Sequence, residues 1–124
     1  VPHGLFVFSA HNRSYLHAGS GPGLKFHRNP ITQLHALVEF LRASANHRAI
    51  KAFHRSEAEY ALLNDSGNNY HTLHYYISRA VQTRQLASVG FELLECLGDW
   101  GETLGTNSRD ELYPSILYVA RRDD

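Results

Sequence analysis

The strongest constraint in this sequence is a single stretch that opens on Asn29-Pro30. Asn29 supplies a side-chain oxygen for the first free amides of a helix, and Pro30 suits the first helical position, where no N–H is needed. Ile31, Leu34, Val38 and Leu41 follow at helical spacing, with Leu37 beside them. The chain must therefore contain an amphipathic helix, and its apolar face is expected to pack on a sheet or on another helix. Ser44-Ala45-Asn46 is a plausible end or break for it.

The segments around it read as strands and turns. Leu5–Ala10 is short, aromatic and β-branched, which predicts a strand. His11-Asn12-Arg13-Ser14 supplies turn chemistry, and Tyr15–Ala18 reads as the returning arm of a hairpin. Gly19-Ser20-Gly21-Pro22-Gly23 is a loop, and Leu24–His27 suits a third short strand. Ser56-Glu57-Ala58-Glu59 matches a capping box and suggests a helical turn through Leu62 and Leu63; a strand from Tyr60 to Asn64 is the alternative. Asp65–Asn69 is a turn in either case. For residues 70–78 a strand with Leu73, Tyr75 and Ile77 inward is favoured over a helix carrying Leu73, Ile77 and Val81. A second helix is predicted from Ser88, with Phe91, Leu94 and Leu97 inward and Gly98 as its stop. Ile116–Ala120, preceded by Pro114, is a final strand. These elements give an α+β fold: a small antiparallel sheet packed against two main helices, in one globular domain over residues 1–124.

Composition narrows the function. Twelve basic and twelve acidic side chains cancel, so no broad field exists to hold a polyanion, and general nucleic-acid binding is not expected. The tail repeats this balance, Arg121-Arg122 being followed by Asp123-Asp124. No run of about 18 apolar residues is present, so no membrane contact is expected. Val1-Pro2-His3-Gly4 has neither the charged nor the apolar region of a signal peptide. The chain has no methionine, which fits either a removed initiator or a fragment of a longer chain. The single cysteine, Cys96, lies in an apolar run between carboxylates, which predicts a buried, unreactive thiol and permits a reducing, cytoplasmic setting.

The catalytic candidates are histidines, of which there are nine. Each gains a proton near pH 6.5 if unperturbed, so acidification adds charge to the chain. His11, Arg13 and His17 flank the predicted hairpin and are the residue types for acid–base work on a phosphodiester. His71 and His74 would share a face on a helix but point to opposite faces of a strand, so no metal site and no cofactor is expected. The loop Gly19–Gly23 has neither the Walker nor the dinucleotide-binding spacing. Glu57 with Glu59, and Glu92 with Glu95, fit a helix start and a solvated face.

The aromatic residues carry the preferred reading. Tyr70, His74 and Tyr76 would lie on the outer face of the strand over residues 70–78, where tyrosines favour protein contacts. The expectation is a non-enzymatic binding or regulatory protein, of adaptor, inhibitor or immunity type, that docks on a protein partner or on its own copy. The alternative is a small histidine-dependent hydrolase or nuclease using His11, His17, His71 or His74.

Overall fold

The computed structural model describes residues 4–122, so His3 and the charge balance of Asp123 and Asp124 lie outside the described residues. The order of the main elements is β1 (Leu5–Asn12), α1 (Pro30–Lys51), β2 (Arg55–Ser56), β3 (Tyr60–Asn64), β4 (Leu73–Ile77), α2 (Arg79–Ser88), β5 (Phe91–Leu97) and β6 (Ser115–Arg122). The chain is α+β as expected, but its six-stranded sheet is mixed rather than small and antiparallel. The reason is β4, which runs parallel to β1, with His11 opposite Tyr76 and Asn12 opposite Ile77. A parallel neighbour requires a long crossover between the two strands.

Residue contacts divide the chain into two compact units, one of residues 4–18, 57–61 and 75–122, the other of residues 19–56 and 62–74. In the first, β6 lies between β1 and β5 and is antiparallel to both. Its alternation is regular: Ile116, Tyr118 and Ala120 are buried. They join Leu86, Cys96 and Leu104 in one core, with Phe8, Phe91 and Leu93 packed against it. Phe8 stacks on Tyr118 at 5.2 Å between ring centroids. Asn12 ends β1 fully inside the fold. Its amide donates to the carbonyls of Asp110 (2.6 Å) and Tyr113 (2.9 Å), and its oxygen accepts from the Ser14 amide.

The segment expected to be the second helix is β5. A bulge between Leu93 and Glu95 inserts an extra residue, so the inward side chains Leu93 and Cys96 fall three apart instead of two. Leu94, expected on the inner face with Phe91 and Leu97, is the extra residue of the bulge and is exposed. The actual second helix, α2, comes just before it. Ser78 caps it by accepting from the Val81 amide, and Gly90, at φ +80°, stops it in a conformation that side chains disfavour. Tyr15–Ala18 is a turn, and residues 24–27 form no strand.

The second unit is built on α1. Asn29 accepts from the amides of Ile31 (2.9 Å) and Thr32 (3.3 Å), as its sequence position predicts. The helix does not break at Ser44–Asn46 but runs to Lys51. The capping-box reading of residues 56–59 fails, and the alternative strand over Tyr60–Asn64 is the one formed. Asp65–Asn69 is a turn, as expected. It leads into a tight turn over Gly67–Tyr70, where Asn68, Asn69 and Tyr70 all adopt positive φ (49°, 50° and 62°).

Candidate functional site

The inner face of α1 is not the one its apolar residues suggest. Gln33, Ala36, Phe40, Ala43, Ser44, Asn46, His47 and Ile50 are the buried or half-buried positions. Ile31, Leu34, Leu37, Val38 and Leu41, expected to be packed, are instead 39–74% exposed. The helix is therefore apolar on both sides. The inner stripe is rich in alanine, and small side chains let a helix lie close to its neighbours; the bulkier stripe is left outward.

Behind the inner stripe lies a polar scaffold centred on Asn64, whose exposure is 0%. Asn64 closes β3, and every polar group of its side chain is used. Its Oδ1 accepts from His47 Nδ1 at 2.6 Å. Its Nδ2 donates to the carbonyls of Tyr70 (2.9 Å) and Thr72 (2.7 Å). Its backbone N–H donates to His54 Nε2 at 2.8 Å. His54 is thus held as a neutral acceptor, and its pKa lies below the usual imidazole value through burial first, then the charges of His47 and Lys51. Asn46 adds a bond from its amide to the carbonyl of Asn69 (3.0 Å). These contacts hold the three left-handed residues in place.

A cleft of about 360 Å³ opens beside this turn, with α1 as one wall. Phe40, Ala36, Ala43 and Pro22 form its apolar lining, and Lys25, Glu39, Ser66, Asn69 and Tyr70 its polar one. The Tyr70 ring meets His47 edge-on at 5.4 Å. Burial, and then the nearby Asp65 charge, raise the Tyr70 pKa, so its hydroxyl remains a donor at neutral pH.

The histidines named from the sequence are distributed as follows. In the first unit, His11 stacks on Tyr76 (5.1 Å), and exposed His17 meets Tyr15 edge-on (5.5 Å). In the second, His71 is exposed, directly after the left-handed turn. His74 lies on β4, with Nδ1 against the Asp65 carboxylate (3.0 Å) and Nε2 against Thr72 Oγ1 (2.9 Å). A hydroxyl, an imidazole and a carboxylate are the residue types of a general-base relay. Here both ring nitrogens already have protein partners. Gly67 allows the close fit, since a Cβ there would clash with His74 Cε1.

The tyrosine face is changed as well. Tyr76 is buried at 4% exposure and Tyr75 faces outward, stacked on Tyr60 at 5.2 Å. The expected pattern, with Tyr75 inward and Tyr76 outward, is thus reversed at both positions. Tyr70 belongs to the turn before the strand and lines the cleft. Sequence reasoning missed Asn64, Lys25 and Glu39, because nothing local distinguishes them from ordinary turn and surface residues.

A cavity of about 480 Å³ in the first unit is lined by Arg79, Leu94, Cys96, Leu104 and Asp110, among others. Arg79 is a staple in its wall. Nε donates to Asp110 (2.9 Å), and the two Nη atoms donate to the carbonyls of Leu104 (2.8 Å) and Gly105 (2.9 Å). Cys96 is a free, buried thiol whose pKa burial raises, as its sequence setting predicts. No helix among the described residues is long and apolar enough to cross a membrane. Comparison with protein-family models, with curated proteins and with solved structures finds no match for this chain.

Proposed function

We propose that this chain is a protein-binding module that works by pairing with a second copy of itself through the outer face of α1. The observation that carries this reading is the exposed stripe Ile31, Leu34, Val38 and Leu41. Its spacing of three and four residues is that of a two-helix seam. The stripe also orders its residue types, with β-branched Ile31 and Val38 alternating with Leu34 and Leu41. That order favours a parallel two-stranded pairing.

Charge at the seam's flanks supports the same orientation. His35 and Arg42 lie along one flank, and Leu37 and Ser44 along the other. In a parallel pair, each flank meets the opposite flank of the partner helix, so the aliphatic stem of Arg42 covers Leu37 of the other copy. In an antiparallel pair the flank carrying Arg42 would meet the same flank of the partner helix, and the Arg42 stem would leave Leu37 uncovered. The stripe offers on the order of 500 Å² per copy, which places the pair at the small end of specific interfaces. Micromolar rather than nanomolar association is expected.

The test is sedimentation equilibrium of the full chain at concentrations up to about 200 µM, where an interface of this size should associate. A dimer is expected, and Leu34→Lys with Val38→Lys should give a monomer of unchanged far-UV circular dichroism. An Ala45→Cys variant should cross-link to its own copy under mild oxidation, since a parallel seam brings the two positions together. A wild-type chain that stays monomeric throughout would overturn the reading.

A further inference from the structure

We infer that the cleft between α1 and the left-handed turn is a binding site for a small organic anion with an apolar body. The inference does not depend on the pairing of α1, since the cleft lies on the inner side of that helix. Its first support is the turn. Three consecutive non-glycine residues, Asn68, Asn69 and Tyr70, sit at positive φ. Left-handed backbone is unfavourable for L-residues, most of all for a bulky one such as tyrosine. Such a conformation persists only where its surroundings over-determine it, as the bonds from Asn64 and Asn46 do here. What the strained backbone accomplishes is placement: it sets Asn69 and Tyr70 in the wall of the cleft.

The second support is the donor set. Lys25, Ser66, Asn69 and Tyr70 bring an ammonium, two hydroxyls and a carboxamide to one cavity. Among the described residues Lys25 makes no ion pair. Glu39 is the one carboxylate in the lining, and it is engaged by Arg42 at 3.3 Å. The uncompensated charge of the cleft is therefore positive, and Lys25, Ser66, Asn69 and Tyr70 can each donate a hydrogen bond to an anion.

The third support is shape and lining. Ligand sites are commonly apolar concavities of several hundred Å³ with a few converging polar groups. Phe40, Ala36, Ala43 and Pro22 supply the apolar part here. A cavity of roughly 150 Å³ holds benzene. This cleft, at about 360 Å³, takes an aromatic ring together with a carboxylate. The charged end belongs near Lys25, and the ring along Phe40.

Benzoate and its neutral isostere benzamide are the probes. Each is titrated into the isotopically labelled full chain, and amide shifts are followed by NMR. Benzoate should give saturable shifts concentrated in residues 23–25, 36–43 and 66–70, with benzamide binding at least about tenfold more weakly, as loss of a charge-assisted bond implies. Lys25→Met should weaken benzoate about tenfold and leave benzamide unchanged, because only the anion uses the ammonium. Lys25 is exposed, so this variant keeps the fold. Tyr70→Phe should weaken benzoate by a smaller factor. No saturable shift up to about 20 mM, or equal binding of the two probes, or a Lys25→Met variant that binds benzoate normally, would each sink the inference.

Discussion

Removing the Asn64 side chain tests whether the second unit is held by the polar scaffold described above. In Asn64→Ala three side-chain bonds disappear: one with His47 and two with the carbonyls of Tyr70 and Thr72. Each is worth about 1 kcal/mol net, and buried groups left without a partner add to that. The expected loss is about 3 kcal/mol, a large share of the 5–15 kcal/mol available to a typical domain. For a chain of this size the midpoint should fall by on the order of 10 °C. Urea unfolding followed by far-UV circular dichroism measures the loss directly. Asn64→Asp is the discriminating companion. It preserves volume and the acceptor facing His47, but turns a carboxylate oxygen toward two carbonyls. If bonding decides, aspartate is at least as damaging as alanine; if volume decides, it is milder. A loss below about 1 kcal/mol for alanine would show that water replaces these bonds at no net cost, and the account of the turn would fail.

Two further predictions concern titrating groups. His54 is held below the ordinary imidazole value of 6.5, so its contribution to stability is complete above that pH and is lost as pH falls through the lower folded value. Thermal midpoints should therefore drop on acidification from neutral pH, and His54→Gln, which keeps an acceptor for the Asn64 amide, should show a shallower drop; an identical slope in both proteins would remove His54 as a cause. Cys96 is buried with its pKa raised, so iodoacetamide, followed by mass spectrometry, should label it at least about a hundredfold more slowly in the folded chain than in urea. Labelling of the folded chain at the rate of a free thiol would contradict its burial.

The parts of the fold that could be read in advance are those where local chemistry and tertiary packing agree. Asn29 and Pro30 fix the start of α1 because the cap is satisfied within one turn. β6 shows strict alternation because one of its faces is core along its length. Asp65–Asn69 is legible because its residues tolerate turn conformations. The misreadings arise where tertiary structure alters the period. The bulge in β5 converts a spacing of two into three, and α2 is hard to find because Arg79–Ser88 carries only Val81 and Leu86 as large apolar residues. The pairing of β4 with β1 is parallel, and no local signal specifies strand direction.

The candidate site was legible only in fragments. The aromatic and histidine content of residues 70–78 points to Tyr70 and His74, and both take part in the second unit's network, Tyr70 in the cleft wall and His74 against Asp65. Tyr76 is not outward because the end of β4 is covered on both faces: Tyr76 and its neighbour Ile77, which point opposite ways, are both buried. Asn64 resembles any asparagine before a turn. Its role depends on partners 6, 8, 10 and 17 residues away.

Charge decides what an exposed stripe such as that on α1 leads to. With twelve cations and twelve anions the chain has no net charge at pH 7, so no long-range repulsion keeps copies apart. For the proposed pairing, the question is whether association stops at two copies. A flat patch that adheres to unlike surfaces can propagate without limit. A seam that meets its own image about a two-fold axis covers each stripe once and leaves none over. The regular spacing of Ile31, Leu34, Val38 and Leu41 along one line favours the second outcome. On the proposed pairing, only the parallel orientation lets the stem of Arg42, whose head is held by Glu39, cover Leu37 of the other copy.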